Sequence, residues 1–510
     1  MSEKVSTSLF FVPYSFMSPH IDVSLAYIQA EIDKGSRVIL LVCKGGKSLS
    51  CGFNLYGAKS KCIYCIRRNK DALGALAGDY QIVEVDSANS PQLPAEICVA
   101  IDNAKELHEI KALSYCEQDL GYAIVSSLVS RFRTTSLDES KRKVLKQLAN
   151  AFISVYHSTE NIINAEKIDQ AFVFNGRLEM TRGFFRACRV NDIDCNILEV
   201  SQVGCQSMKY KNAMPLDLAY TKNLIDQLWD SANESQRQKA QEFYEKKANG
   251  VAIHDKIYTS GQVGGMLPQG WNNTVKNIVV FGSSADEFYA IGPDWEFPFY
   301  KNQYDGLEQI VRALADEENI HIYFRMHPNL SMLKDAELTK EYMLGDLYSN
   351  LTVIAPHNKI STYSLMDVAD KIVTFGSSVG IEAAYWGKTS ILAGNSMYAH
   401  LDGITCPASH ADLIEAIKNE EHRDISRAGA LMYSNFLLTR GESVAGLAVT
   451  SSGVTYKTKP QSNEYFTERL LFKLMCFIEN ARDWNTFAQS IRDRVPNNIK
   501  GTLCNFVQRK

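Results

Sequence analysis

No apolar run in the 510-residue chain approaches the roughly 18 to 20 residues that cross a bilayer. The start of the chain also lacks the basic and then apolar regions of an export signal. Both absences lead us to expect a cytoplasmic protein, with room for peripheral attachment at the inner face of a membrane. There is no excess of positive charge either. Lys and Arg total 54 against 58 Asp and Glu, a formal net charge of −4, which argues against a general nucleic-acid binder, whose affinity rests on clustered cations. Internal repeats and coiled-coil heptads are missing. With 45% hydrophobic and 22% charged residues, the composition is that of ordinary globular chains, so disorder is excluded for the bulk of it. The length suffices for two to four domains, each with a substantial core.

Twelve cysteines without an export signal favour free thiols or bound metal over a disulfide framework. Eight are scattered and suit packing. The other four, Cys43, Cys51, Cys62 and Cys65, flank a segment rich in Gly, Ser and Lys with little to bury. Cys62 and Cys65 form a Cys-x-x-Cys pair. A loop of this kind can be organised by a structural Zn²⁺ on four thiolates, with the nearby lysines offsetting the charge. An iron–sulfur cluster and unligated or redox-active thiols are the alternatives.

Two strand ends in the C-terminal half carry phosphate-suited groups. Ile320 to Phe324 reads as a strand stopped by Pro328, which puts Arg325, His327 and Asn329 at its C-terminal end. In open α/β sheets that edge is where ligands bind. An Arg offers a planar fork to phosphate, and a His offers a donor or a proton near neutral pH. Lys371 to Phe375 reads as a second strand, followed by Gly376, Ser377 and Ser378 and then a helix from Val379 to Trp386. Ser377, Ser378 and Gly380 would let an anion approach the helix N-terminus, and Glu382 could accept from ribose hydroxyls. The plain alternative is that the serines cap the helix and Glu382 complements its dipole.

The N-terminal half begins as a βαβ unit: a strand from Ser8 to Val12, a helix from Ile21 to Lys34 and a strand from Arg37 to Val42. His20, in the first loop, could be a general base or could simply belong to the helix start. A strand from Ala171 to Phe174 delivers Asn175, Gly176 and Arg177 to a turn, and a strand from Asn196 to Val200 carries Glu199 to the same edge. Arg177 could meet an acidic sugar or a phosphate, or pair with Glu199. The composition of Ile253 to Asn273, rich in Gly, Gln and Asn, marks the main domain boundary.

Arg-x-His-Pro-Asn at Arg325 to Asn329, with Ser-Ser-x-Gly-x-Glu-Ala and Gly-Lys between Ser377 and Lys388, resembles the nucleotide-binding half of bacterial capsule and surface-polysaccharide glycosyltransferases with the GT-B fold. Phe281 to Phe288 resembles the Ser-Ser-x-Asp-Glu-Phe turn that opens their C-terminal domain. Asn175 to Arg177 resembles an Asn-Gly-Arg motif of their N-terminal domain, and Cys43 to Cys65 a cysteine cluster of some members. The resemblance implies an α/β chain of two Rossmann-type domains facing a cleft, with an N-terminal cysteine-rich loop. We expect an acceptor-side domain over 1–250, a linker over 251–275 and a nucleotide-sugar domain over 276–460. A final helix within 461–510 would pack back on the N-terminal half. The resemblance further implies a nucleotide-sugar donor and a glycan or lipid-linked glycan acceptor. Ser283, Ser284, Arg325, His327, Asn329, Ser377, Ser378, Gly380 and Glu382 would hold the donor. Asn175, Arg177 and Glu199 would face the acceptor, and Asp286, Glu287 or His20 would be the base. A phosphoglycerol-type polymer phosphotransferase, a nucleotide-sugar epimerase and a non-catalytic zinc-stabilised assembly protein remain as alternatives.

Overall fold

The computed structural model describes residues 5–15, 18–45, 51–55, 59–201, 206–251, 261–284, 288–332, 339–420, 424–450 and 453–456. Asp286, Glu287 and the expected helix from Thr467 to Asp483 lie outside these residues.

The first half builds one sheet around β1 (Thr7–Val12). It is followed by α1 (Ser18–Asp33), β2 (Arg37–Val42), α2 (Lys59–Leu73) and β3 (Gln81–Glu84). A helical layer of α3 (Ala95–Asn103), α4 (Leu107–Lys111), α5 (Leu120–Phe132) and α6 (Glu139–Ala165) precedes β4 (Gln170–Phe174), α7 (Glu179–Val190), β5 (Asp194–Val200) and β6 (Gln206–Lys211). The spatial order is β3-β2-β1-β4-β5-β6, with β1 to β5 parallel and β6 antiparallel. The central strands β1, β2 and β4 read as nearly continuous apolar runs because both of their faces are covered. Val38 to Val42, for example, are all buried. Leu9, Phe11, Ile39 and Leu41 point to one side, where α7 packs, and Phe10, Val12, Leu40 and Val42 point to the other, under α1. Burying each such side chain stabilises the fold by roughly 1.5 to 3 kcal/mol.

Two helices come next, α8 (Leu218–Asp230), capped by Asp217, and α9 (Glu234–Ala248), which opens with a capping box of Asn233 and Gln236. The second sheet then starts with β7 (Lys276–Phe281). After it come α10 (Gln303–Ala313), β8 (Ile320–Arg325), α11 (Thr339–Leu347), β9 (Leu351–Ile354), α12 (Thr362–Val368) and β10 (Lys371–Thr374). The series ends with α13 (Val379–Tyr385), β11 (Ser390–Leu392), β12 (Ile404–Thr405), α14 (His410–Lys418) and α15 (Ala428–Thr439). Its six strands are parallel in the order β12-β11-β10-β7-β8-β9. Both sheets therefore have the Rossmann order 3-2-1-4-5-6, each with a reversal beside its first strand, at β1/β4 and at β7/β10. The expected GT-B-like fold class of two Rossmann-type units holds.

Two domain limits differ from the expectation. Helices α8 and α9 pack into the C-terminal half: Ile225, Phe243 and Tyr244 share a core with Ile381, Tyr385, Tyr398 and Phe436. The composition shift at 253–273 follows these helices, so the change of core comes before it. At the other end, the chain returns to the first sheet before position 460. β13 (Glu442–Ser443) pairs antiparallel with β6, and a hairpin of β14 (Leu447–Thr450) and β15 (Gly453–Tyr456) packs on α1. Tyr27 donates to Glu442 Oε1 at 2.6 Å, and the Tyr456 amide donates to Asp22 Oδ1 at 2.7 Å. Short strands of two to four residues carry too little pattern to be read locally.

The halves also meet through the segment after β7. The Trp295 indole donates to the Leu216 carbonyl at 2.8 Å, Arg182 to the Ile291 carbonyl at 2.9 Å, and Lys111 pairs with Glu296 at 2.9 Å.

Candidate functional site

The reversal between β7 and β10 gathers most of the expected donor residues, because β8 lies on the other side of β7 and all three strands end at one edge. Ser283 and Ser284 follow β7, His327 and Asn329 follow β8, and Ser377 and Ser378 follow β10. Gln303, at the start of α10, accepts from the Ser283 amide through Oε1 at 2.7 Å. The Ser283 hydroxyl is buried and has no hydrogen-bond partner among the described residues. Asn329 reaches across from β8 to donate to Ser284 Oγ at 3.4 Å. The Asn329 amide donates to His327 Nδ1 at 3.2 Å, so the neutral ring carries its proton on Nε2.

The two serines after β10 do not behave as a standard helix cap. Ser378 occupies the cap position in helical geometry and makes no capping bond. It donates instead to Glu382 Oε1 at 3.1 Å, while Ser377 Oγ accepts from the Val379 amide at 3.4 Å. The helix is seven residues long, too short for much of a macrodipole. Hydroxyls and main-chain groups, and not the helix axis, define this edge. Gly380 is explained by packing: a Cβ there would stand 2.5 Å from the Tyr398 hydroxyl, which donates to the Ser377 carbonyl.

Glu382 is buried and already engaged. Lys247 of α9 reaches Oε1 at 2.6 Å and the Tyr363 hydroxyl donates to Oε2 at 2.7 Å. With Ser378, that uses three of about four acceptor positions of a carboxylate, leaving one for a ribose hydroxyl. Lys247, Tyr363, Tyr398 and Gln303 escaped the reading of the sequence because their partners are 19 to 135 residues away.

Arg325 departs from expectation. Its guanidinium faces inward, donating through Nη1 to the Ala355 carbonyl and through Nη2 to the Asn358 carbonyl at 3.0 Å. Burial pushes its pKa down to about 10. These two nitrogens hold the loop after β9 and are not presented to a phosphate. His20 also departs from its expected role as a base. Its ring lies 4.0 Å from that of Phe174, with Phe53 edge-on, and Nδ1 is buried without a partner among the described residues. Burial pushes its pKa down to about 3, and so weak a base removes protons poorly at neutral pH.

On the first sheet, Asn175 and Gly176 turn through left-handed backbone after β4. Asn175 Nδ2 donates to Glu199 Oε2 at 3.0 Å, and its Oδ1 accepts from the Arg177 amide. Arg177 donates to Ser130 Oγ at 3.1 Å. Burial raises the pKa of Glu199, opposed by the Asn175 and Val200 donors and by the charges of Arg177 and Arg440. These three residues do form one cluster at the β4/β5 edge.

The cysteines are brought together, but not as a knuckle in a loop. Cys43 follows β2, Cys51 lies in a turn, and Cys62 and Cys65 are one turn apart on α2. All four line one cavity. Among the described residues, no disulfide is present, and as placed no group of three or more His, Cys, Asp or Glu side chains could hold a metal ion, so the expected zinc knuckle is not seen.

Comparison with known proteins agrees with the motifs in the second half. Residues 297–439 match the family model of capsule polysaccharide biosynthesis proteins. No curated protein matches. Among solved structures, Thermosulfurimonas dismutans KpsC, beta Kdo 2,7 transferase, is 16% identical with a TM-score of 0.36 over 68% of this chain and 95% of that one. The beta Kdo 2,4 transferase of the same protein is 14% identical with a TM-score of 0.33, over 53% of this chain and 80% of that one. UDP-GlcNAc 2-epimerase from Neisseria meningitidis is 10% identical with a TM-score of 0.25, over 85% and 98%. At such scores these likenesses carry no argument about chemistry. The likeness to capsule polysaccharide biosynthesis proteins is carried by the motifs and by residues 297–439. No helix among the described residues is long and apolar enough to cross a membrane.

Proposed function

We propose that this protein is a glycosyltransferase that moves a sugar from a nucleotide-activated donor to a glycan or lipid-linked glycan acceptor in surface-polysaccharide biosynthesis. The observation that carries this is the buried Ser283 hydroxyl, without a hydrogen-bond partner among the described residues, at the β7/β10 reversal where the strand ends also carry Ser377 and His327. A buried hydroxyl without a partner costs free energy that a bound oxyanion would recover. The capsule-biosynthesis match over the same half supports the class of product.

On this proposal the donor diphosphate or monophosphate lies across the Ser283/Ser284 and Ser377/Ser378 turns, with His327 Nε2 donating to departing phosphate charge. Glu382 takes one ribose hydroxyl, and Arg325 shapes the pocket by holding the loop after β9. The acceptor approaches from the first sheet, where Asn175, Arg177 and Glu199 stand. Catalysis then rests on positioning and on charge stabilisation at the leaving nucleotide. Asp286 or Glu287 removes the acceptor proton, and the amide variant of the true base should lower the rate at least ~100-fold while leaving nucleotide binding intact.

The test is a thermal-shift screen of nucleoside mono- and diphosphates, followed by assay of nucleotide release from the matching activated sugars. A stabilising nucleotide, with release that requires acceptor, is expected. If no nucleotide raises the melting temperature and no donor is consumed, the proposal fails.

A further inference from the structure

The cavity bounded by the four cysteines lies outside the donor site, at the C-terminal edge of the first sheet. It encloses about 30 Å³ of internal space between the β1 to α1 loop, the Cys51 turn and α2. That is room for one ion or one or two waters, and too little for an iron–sulfur cube. The Cys51 turn is closed by paired main-chain bonds with Asn54, at 2.7 and 3.4 Å.

The sulfurs are also unusually well supplied with donors. The Gly45 amide donates to Cys43 Sγ at 3.4 Å, and the Phe53 amide donates to Cys51, two residues on in each case. Asn54 Nδ2 donates to Cys62 Sγ at 3.2 Å. A neutral thiol is a weak acceptor and gains little from such bonds, whereas a thiolate gains much. Gly45 has left-handed backbone and packs directly on Cys62: a Cβ there would lie 2.7 Å from Cys62 Cβ.

We propose that Cys43, Cys51, Cys62 and Cys65 bind a single Zn²⁺ as a four-thiolate structural centre. The thiols turn inward by side-chain rotation, and each loses one proton to solvent as its Zn–S bond forms, so four protons leave per ion. The resulting charge of −2 faces Lys61, which also lines the cavity. Nothing is oxidised or reduced. The centre joins the end of β2 to α2 and the Cys51 turn. From there the Gly52 amide donates to Glu179 Oε1 at 3.1 Å, and Asn69 of α2 donates to Ser15 Oγ at 2.6 Å. By these bonds the ion fixes the β1 to α1 loop, which borders the acceptor edge.

Metal analysis of the full chain, purified under reducing conditions, should find about one zinc per chain. Replacing it with Co²⁺ should produce the thiolate-to-metal charge-transfer band of tetrahedral sulfur ligation. Both measurements use the unaltered protein and are independent of nucleotide binding in the other half. Cys43→Ser and Cys62→Ser should each lower zinc content and melting temperature together, while Cys98→Ser and Cys406→Ser should change neither. Absence of zinc together with absence of the cobalt band overturns the proposal. So does zinc that survives both Cys43→Ser and Cys62→Ser.

Discussion

Replacing Ser283 by alanine separates a ligand-binding hydroxyl from a structural one, because the two roles predict opposite changes in stability. The Ser283 oxygen is buried and has no hydrogen-bond partner among the described residues, while its amide bond to Gln303 would survive the substitution. An unsatisfied buried hydroxyl costs roughly 1 to 3 kcal/mol. The gap left by one oxygen offsets part of this, so Ser283→Ala should stabilise the free protein by about 1 kcal/mol. For a cooperative unit of this size that is a rise of roughly 2 to 4 °C in melting temperature. In the complex the sign reverses. A hydrogen bond to a charged phosphate contributes roughly 1.5 to 3 kcal/mol, so nucleotide affinity should fall about 10- to 100-fold. Stabilisation by a fixed nucleotide concentration should shrink accordingly. Differential scanning fluorimetry with and without nucleotide, and titration calorimetry for the affinity, measure both changes. A variant that melts lower and binds nucleotide unchanged would refute the assignment of the donor site to the β7/β10 reversal.

Three further outcomes follow from the same geometry. Lys247→Met removes the cation from buried Glu382, and since Lys247 is only about a quarter exposed the loss should be roughly 1 to 3 kcal/mol, seen in urea unfolding; unchanged stability would mean that the contact is incidental. Gly380→Ala should cost roughly 1 to 3 kcal/mol by forcing the Tyr398 hydroxyl aside, an overpacking effect that bound nucleotide does not rescue. Asp119 should make the fold acid-sensitive. Burial alone would raise its pKa, but Arg182 and Arg186 at 2.6 Å override that and hold it well below the usual carboxylate range. A depressed carboxyl contributes stability that is present above its unfolded value near 4 and is lost as the pH falls towards the folded one. Asp119→Asn should therefore lower stability at pH 7 and flatten its decline below pH 4, and an equal decline in both proteins would exclude the pairing as the cause.

Local sequence determined most of the architecture. Apolar runs from Arg37 to Val42 and from Asn277 to Phe281 could only be strands covered on both faces, and Pro328 and Gly387 end their elements by backbone geometry alone. The Ser-Ser turns and His327 could be placed at strand ends for the same reason, since an element boundary is a property of a few neighbouring residues. Tertiary structure decided which way side chains face and what they meet. Arg325 has the residue type and position of a phosphate ligand, yet the carbonyls of Ala355 and Asn358 claim it. His20 is enclosed by Phe174 and Phe53, which no periodicity near position 20 announces. The return of β13 to the first sheet and the transfer of α8 and α9 to the second core depend on partners more than 130 residues away. A pattern read along the chain records how a segment will bury itself, but not against which distant segment it will do so.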